Sequence, residues 1–199
     1  MKTNIQPLSF DELTQLLKIL KGEDVEFHDL ILFWSSTGLR PGELIALKWI
    51  DLDELNGVLS VRRSRSNITQ KDGPPKTQSS ERDIALRSFV LNVLNAQKAR
   101  IGNSSSYIWP FKGKQHSHKT LNRRFKCFLK MAGLKQRPPV HMRHTFATLH
   151  IGAGESISWV SKVMGHTSVK ITLENYNRYI PNLTRDDGSA FESVLRKKN

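Results

Sequence analysis

Apolar positions recur at helical spacing along most of the chain and at period two over one short stretch. Ser9-Phe10-Asp11-Glu12 reads as a capping box, with Leu8 and Leu13 placed as its hydrophobic staple. The helix it opens runs to about Leu20 and stops near Gly22. A second, very apolar helix spans about 24–37 and ends at Gly38, and Pro41 fits the first turn of a third, 42–49. Alternation then predicts three short antiparallel strands at 49–52, 57–61 and 80–86, with Asn56-Gly57 turning between the first two. Helices resume at about 88–100 and 117–132. In the latter, Leu121, Phe125, Phe128 and Leu129 face inward, while Lys119, Arg123, Arg124, Lys126 and Lys130 cover much of the rest. Pro138-Pro139 breaks the chain before a helix to about Ala153, and two more span 156–164 and about 169–179. Residues 182–199 form a polar tail with a short helix around Phe191. The pattern is a mainly α domain with a small three-stranded antiparallel sheet.

At 199 residues the chain suits one domain with a short appendage. Its single cysteine, Cys127, excludes an internal disulfide framework and a cysteine-based zinc knuckle. The apolar run at Leu30-Ile31-Leu32-Phe33-Trp34 is too short to span a bilayer, and the first residues start no signal peptide. The expectation is a soluble, cytoplasmic protein without a membrane partner.

Charge changes the picture most. The net charge is +13, but residues 1–54 carry five basic and ten acidic side chains. From Ile84 to Gly154 there is no Asp or Glu, against 13 Lys and Arg. A solvated face normally mixes signs, so this asymmetry points to a polyanion, foremost nucleic acid.

Two arginines stand where helices begin. Thr37-Gly38-Leu39-Arg40-Pro41-Gly42-Glu43 puts Arg40 at the head of one helix, as a phosphate grip or as a cap ion pair with Glu43. Val140-His141-Met142-Arg143-His144-Thr145-Phe146-Ala147-Thr148 puts Arg143 in the first turn of another. Val163-Met164-Gly165-His166 follows, with Tyr176 ten residues after the histidine. The histidines show neither zincin spacing nor a carboxylate cluster, so no metal site is expected.

Taken in order, these segments resemble the catalytic domain of tyrosine recombinases, the phage integrases, from Pro7 to about Pro181. Arg40 with Glu43 is similar to the family's first arginine motif. Lys76-Thr77-Gln78-Ser79-Ser80-Glu81-Arg82 is similar to its strand-edge lysine motif, and Arg143-His144-Thr145-Phe146 to its second arginine motif. Met164-Gly165-His166 and Tyr176 resemble its last histidine and its nucleophile. The run from Tyr179 to Glu192 resembles the C-terminal extension of one subgroup of bacterial prophage integrases. Where the family usually has a histidine three residues before the second arginine, this chain has Val140, and His141 is one place off.

The resemblance implies a catalytic domain at 1–181 and a tail at 182–199, with core-binding and arm-binding domains outside this chain. It implies a site made of Arg40, Lys76, Arg143, His166 and Tyr176, supported by Glu43 and His144. Two arginines can neutralise the non-bridging oxygens of a phosphodiester without a metal, and His166 adds a donor. Lys76 can protonate the departing 5′ oxygen, and Tyr176 can attack to form a 3′-phosphotyrosyl link that stores the bond energy, so no ATP or other cofactor is needed. Helical phase does not separate Tyr176 from Tyr179. Pro181 frays the helix end at Tyr179, which favours Tyr176. The implied partners are attachment-site duplex DNA, further integrase protomers in a tetrameric synapse, and accessory DNA-bending proteins. Phosphate contacts are expected from Arg62, Arg63, Arg65, Lys119, Arg123 and Arg124. Two other functions stand beside recombination: a non-cleaving DNA-binding domain of the same ancestry, and a basic scaffold for nucleic acid.

Duplex-DNA affinity should fall steeply with rising salt, and alanine at Arg123 and Arg124 should weaken binding to all sequences and flatten the salt dependence. A titration at several salt concentrations checks this, and binding indifferent to ionic strength would contradict it.

Overall fold

The computed structural model describes residues 5–75 and 80–179, together with Arg196. In chain order come α1 (Phe10–Glu23), α2 (Val25–Thr37) and α3 (Pro41–Ala46), then β1 (Leu52–Asp53), β2 (Val58–Val61), β3 (Ser64–Arg65), β4 (Asp72–Gly73) and β5 (Arg82–Ala85). After α4 (Ser88–Ile101), β6 (Pro110–Phe111) and β7 (Lys114–Gln115) come α5 (His118–Met131), α6 (His141–Gly152), α7 (Ile157–Met164) and α8 (Val169–Tyr176).

The capping box forms as the sequence dictates. The Ser9 N–H donates to Glu12 Oε2 at 2.9 Å and the Glu12 N–H donates to Ser9 Oγ at 3.1 Å. The Asp24 carboxylate accepts the Phe27 N–H at 3.0 Å and opens α2. Helix α2 is apolar nearly all round because α1, α4 and α6 pack against it, burying Phe27, Leu30, Ile31, Phe33 and Trp34. Its end is fixed by shape: Gly38 lies at φ +61°, and a Cβ there would stand 2.5 Å from the Phe146 ring of α6. The Trp34 indole N–H donates to the Leu39 carbonyl at 2.6 Å and holds the chain as it turns toward Arg40.

The predicted sheet is present, antiparallel, in the order β1-β2-β5. Residues 49–51 are not its first strand but a 3₁₀ turn, and α3 stops at Ala46. The Asp51 carboxylate accepts the Lys48 N–H at 2.8 Å and closes that turn, leaving Ile50 in solvent. The turn before β2 uses four residues rather than two, with Asn56 bound to the Asp53 carboxylate.

The long 62–79 connection folds back on itself as the β3–β4 hairpin, and β6–β7 forms another around Lys112-Gly113, both at positive φ. Neither hairpin was expected. The last helix ends at Tyr176 and tightens to 3₁₀ over Asn177–Tyr179. The short helix around Phe191 lies outside the described residues.

Gly38→Ala should cost about 2–4 kcal/mol, from left-handed strain plus overpacking against Phe146. A lowered urea midpoint at unchanged m-value checks this.

Candidate active site

Arg40 stands at the head of α3, its backbone N–H donating to Glu43 Oε2 at 2.9 Å and its guanidinium to Glu43 Oε1 at 2.7 Å. Glu43 is buried, and Arg82 from β5 reaches its other face at 2.9 Å. Burial opposes the Glu43 charge, but Arg82 and then Arg40 outweigh it and hold the carboxyl below the usual range. Arg82 also donates through Nε to the Val163 carbonyl at 2.5 Å and through NH1 to the Ser80 carbonyl at 2.9 Å. The cap ion pair and the presentation of Arg40 thus coexist, since the Arg40 side chain keeps 38% exposure.

Arg143, in the first turn of α6, is buried. It donates to the Gly38 carbonyl at 2.7 Å and to the Met164 carbonyl at 2.5 Å. Burial, then the nearby Arg40 charge, pushes it down to about 9, so it stays cationic at neutral pH. His166 follows the left-handed Gly165 that ends α7, and its Nδ1 lies 2.8 Å from the Thr172 hydroxyl of α8. Burial and then the Arg143, Arg40 and Arg82 charges push His166 down to about 4, leaving it neutral. A neutral imidazole that accepts the Thr172 hydroxyl proton at Nδ1 carries its own proton on Nε2 and is a donor there.

Tyr176, on α8, is 2% exposed, and burial pushes its phenol up to about 12. Its hydroxyl lies 2.5 Å from His144 Nδ1. His144 is itself lowered to about 4 by burial and by its neighbours His141 and Arg143. His141 turns away, its Nδ1 donating to the Gln6 carbonyl at 3.0 Å.

The structure therefore gathers Arg40, Glu43, Arg143, His144, His166 and Tyr176 from three helices and the turn after α7. Lys76 lies outside the described residues, on the segment joining β4 to β5. Arg82 was missed as a site residue. Its signal was a charged side chain at a position the strand alternation sends inward.

The expected phosphate contacts separate into two groups. Lys119 and Arg123 stand exposed on α5. Arg124 does not: it pairs with Asp24 at 2.5 Å and lies over the Phe27 ring at 4.3 Å. It stands three residues after Leu121 and four before Phe128, which turns it toward the core flank. Loss of Arg124 is thus a loss of packing, and Arg123 alone of that pair stands exposed. Arg62 pairs with Asp83, Arg63 with Asp51 and Arg65 with Asp72, so all three carry neutralising carboxylates. Beside Arg40, the β3–β4 hairpin and His118 line a groove of about 560 Å³.

The chain's sequence matches the phage integrase family over residues 6–182. The prophage integrase IntR of Escherichia coli (strain K12) is 31% identical over 216 residues, covering 95% of this chain and 51% of its own length. The ICEBs1 integrase of Bacillus subtilis (strain 168) is 26% identical, covering 93% of this chain and 54% of its own length. The chain thus spans about half the length of these relatives. Among solved structures, the Tn1549 transposon integrase in complex with circular intermediate DNA superposes with TM-score 0.78 at 24% identity, over 98% of this chain and 68% of that one. The XerA recombinase superposes with TM-score 0.69 at 22% identity, over 98% of this chain and 65% of that one.

Glu43→Gln should destabilise the domain by about 3–5 kcal/mol at neutral pH, because two arginines lose their anion. The Glu43 pKa is depressed on folding, so its stabilisation is full above the ordinary 4.5 and disappears as pH falls through the lower folded value. Denaturation of both proteins from pH 7 to pH 3 should show the gap closing in that acid window.

Proposed function

The chain belongs to the phage integrase family, and from that premise we propose that it carries the chemistry of site-specific DNA recombination, cutting and rejoining strands of a mobile element through a 3′-phosphotyrosyl intermediate. One observation carries the reading: Arg143 and His144, adjacent on α6, meet the buried Tyr176 of α8, with His144 Nδ1 2.5 Å from its hydroxyl and Arg40 near enough for its charge to act on Arg143.

In this reading Arg40 and Arg143 neutralise the non-bridging oxygens of the scissile phosphate. Their positions suit it, one held by Glu43 and one by two backbone carbonyls, so little reorganisation is needed when charge develops. His166 donates a third hydrogen bond as a neutral imidazole. Lys76, on the β4–β5 connection, protonates the leaving 5′ oxygen. Tyr176 attacks phosphorus. Glu43, Arg82 and Ser80 set the Arg40 guanidinium without touching the reacting atoms.

The substrate is duplex DNA at attachment sites. Lys119 and Arg123 of α5 and the groove beside Arg40 are the phosphate-facing surface, and recombination proceeds in a tetrameric synapse of protomers, with accessory proteins where the DNA must bend. The reaction needs no metal or nucleotide, because the arginines supply the charge and the tyrosyl ester conserves the bond. The site of action is the bacterial cytoplasm, on the chromosome.

On a nicked suicide duplex carrying the element's core site, Tyr176→Phe should abolish the covalent protein–DNA adduct and keep DNA binding, while Tyr179→Phe should still form it. The reverse result would move the nucleophile to Tyr179. No adduct from the wild-type protein would favour a non-cleaving DNA-binding domain.

A further inference from the structure

We propose that His144 Nδ1 is the proton acceptor for the Tyr176 hydroxyl during strand cleavage, an inference that rests on the recombinase reading. A phenol this buried does not ionise by itself at neutral pH, so its proton must pass to a base in contact with the oxygen.

Two other histidines belong to the same region among the described residues, and geometry sets both aside. His141 donates its Nδ1 hydrogen to the Gln6 carbonyl and faces away. His166 engages the Thr172 hydroxyl. Lys76 has its own task at the 5′ oxygen. His144 alone is placed against the phenol oxygen among the described residues, at 2.5 Å. It stands one residue after Arg143, so the helix that delivers charge to the phosphate also delivers the base to the nucleophile.

His141 and Arg143 of α6, His166 after α7 and Tyr179 in the turn after α8 face this pair. Burial, then the His141 and Arg143 charges, keep His144 unprotonated, with a lone pair free to accept. At Tyr176 burial and Tyr179 oppose ionisation and Arg143 favours it. A base this weak takes no proton from a resting phenol. Transfer accompanies attack: as the oxygen bonds to phosphorus its O–H becomes acidic, and negative charge on the phosphoryl group favours the imidazolium.

The step balances. The Oη–P bond forms while the Oη proton moves to Nδ1. The P–O5′ bond breaks, its electron pair leaves with the 5′ oxygen, and Lys76 protonates that oxygen. In rejoining, the 5′ hydroxyl attacks, its proton returns to Lys76, and His144 returns its proton to the departing phenolate.

A purely structural role predicts otherwise: a contact that only holds Tyr176 back would speed cleavage when removed. The test is single-turnover cleavage of the nicked core-site duplex by wild-type protein and by His144→Asn, which keeps an acceptor oxygen near the Nδ1 position. Thermal melting and DNA affinity should match wild type. Cleavage should fall by about 10²–10⁴-fold. The wild-type rate should be flat above about pH 5, while the variant's rises by about tenfold per pH unit as phenolate becomes available. A bridging 5′-phosphorothiolate, whose sulfur leaves without a proton, should rescue Lys76→Ala and leave His144→Asn slow. Undiminished or faster cleavage by His144→Asn, or its rescue by sulfur, overturns the proposal while leaving the recombinase reading intact. Wild-type protein giving no adduct overturns both.

Discussion

The domain is held at its functional end by guanidinium groups that collect the free carbonyls of helix termini. A helix leaves its last carbonyls without partners, and its dipole makes that end negative. Arg143 takes the Gly38 carbonyl just past α2 and the Met164 carbonyl at the end of α7. Arg82 takes Val163, one residue earlier in the same turn, and ties it to Glu43. Two helix ends that would repel each other are thus drawn to shared cations. Because Arg40 begins two residues after Gly38 and His166 two residues after Met164, the same contacts set both. The cluster also pools charge: Arg40 and Arg82 share the single carboxylate of Glu43, and with Arg143 close by an excess of positive potential remains.

Much of this was legible in the chain. The Ser9 box, the Asp24 cap and the glycines at 38 and 165 are local signals, and each places a helix end within a residue or two of where it lies. The motifs around Arg40 and Arg143 were readable because Pro41 and Pro138-Pro139 fix helix starts, and His166 and Tyr176 through the family resemblance. What was not legible depends on contacts distant in sequence. The β3–β4 and β6–β7 hairpins have two residues per strand, too few for a period to register. The 3₁₀ turn at 49–51 is decided by Asp51 reaching back to Lys48, which overrides an alternating pattern. Arg82 reads as one more basic residue until β5 turns it inward, and Arg124 reads as surface until Asp24, a hundred residues earlier, is found beside it.

The basic composition also means something narrower than it first suggests. Arg62, Arg63, Arg65, Arg100, Arg124 and Arg137 all close ion pairs with carboxylates, several joining distant elements. Arg137 anchors the segment before α1 by donating to the Pro7 carbonyl at 2.7 Å and to Glu12. Four of these carboxylates, Glu12, Asp24, Asp29 and Asp51, belong to the acidic first quarter of the chain, which thus supplies internal counterions to the basic remainder. The surplus positive charge falls on side chains such as Lys119 and Arg123.

Helix α8 has eight residues and buries only Thr172 and Tyr176. So short a helix has almost no stability of its own. It exists because it is docked, and its two buried residues are those that meet His166 and His144. Any tension on the Tyr176 side chain would therefore pass into an element with little stability of its own. It would be borne by a threonine hydroxyl and the packing of one aromatic ring, so α8 would yield as a unit before α2 or α6 felt the pull.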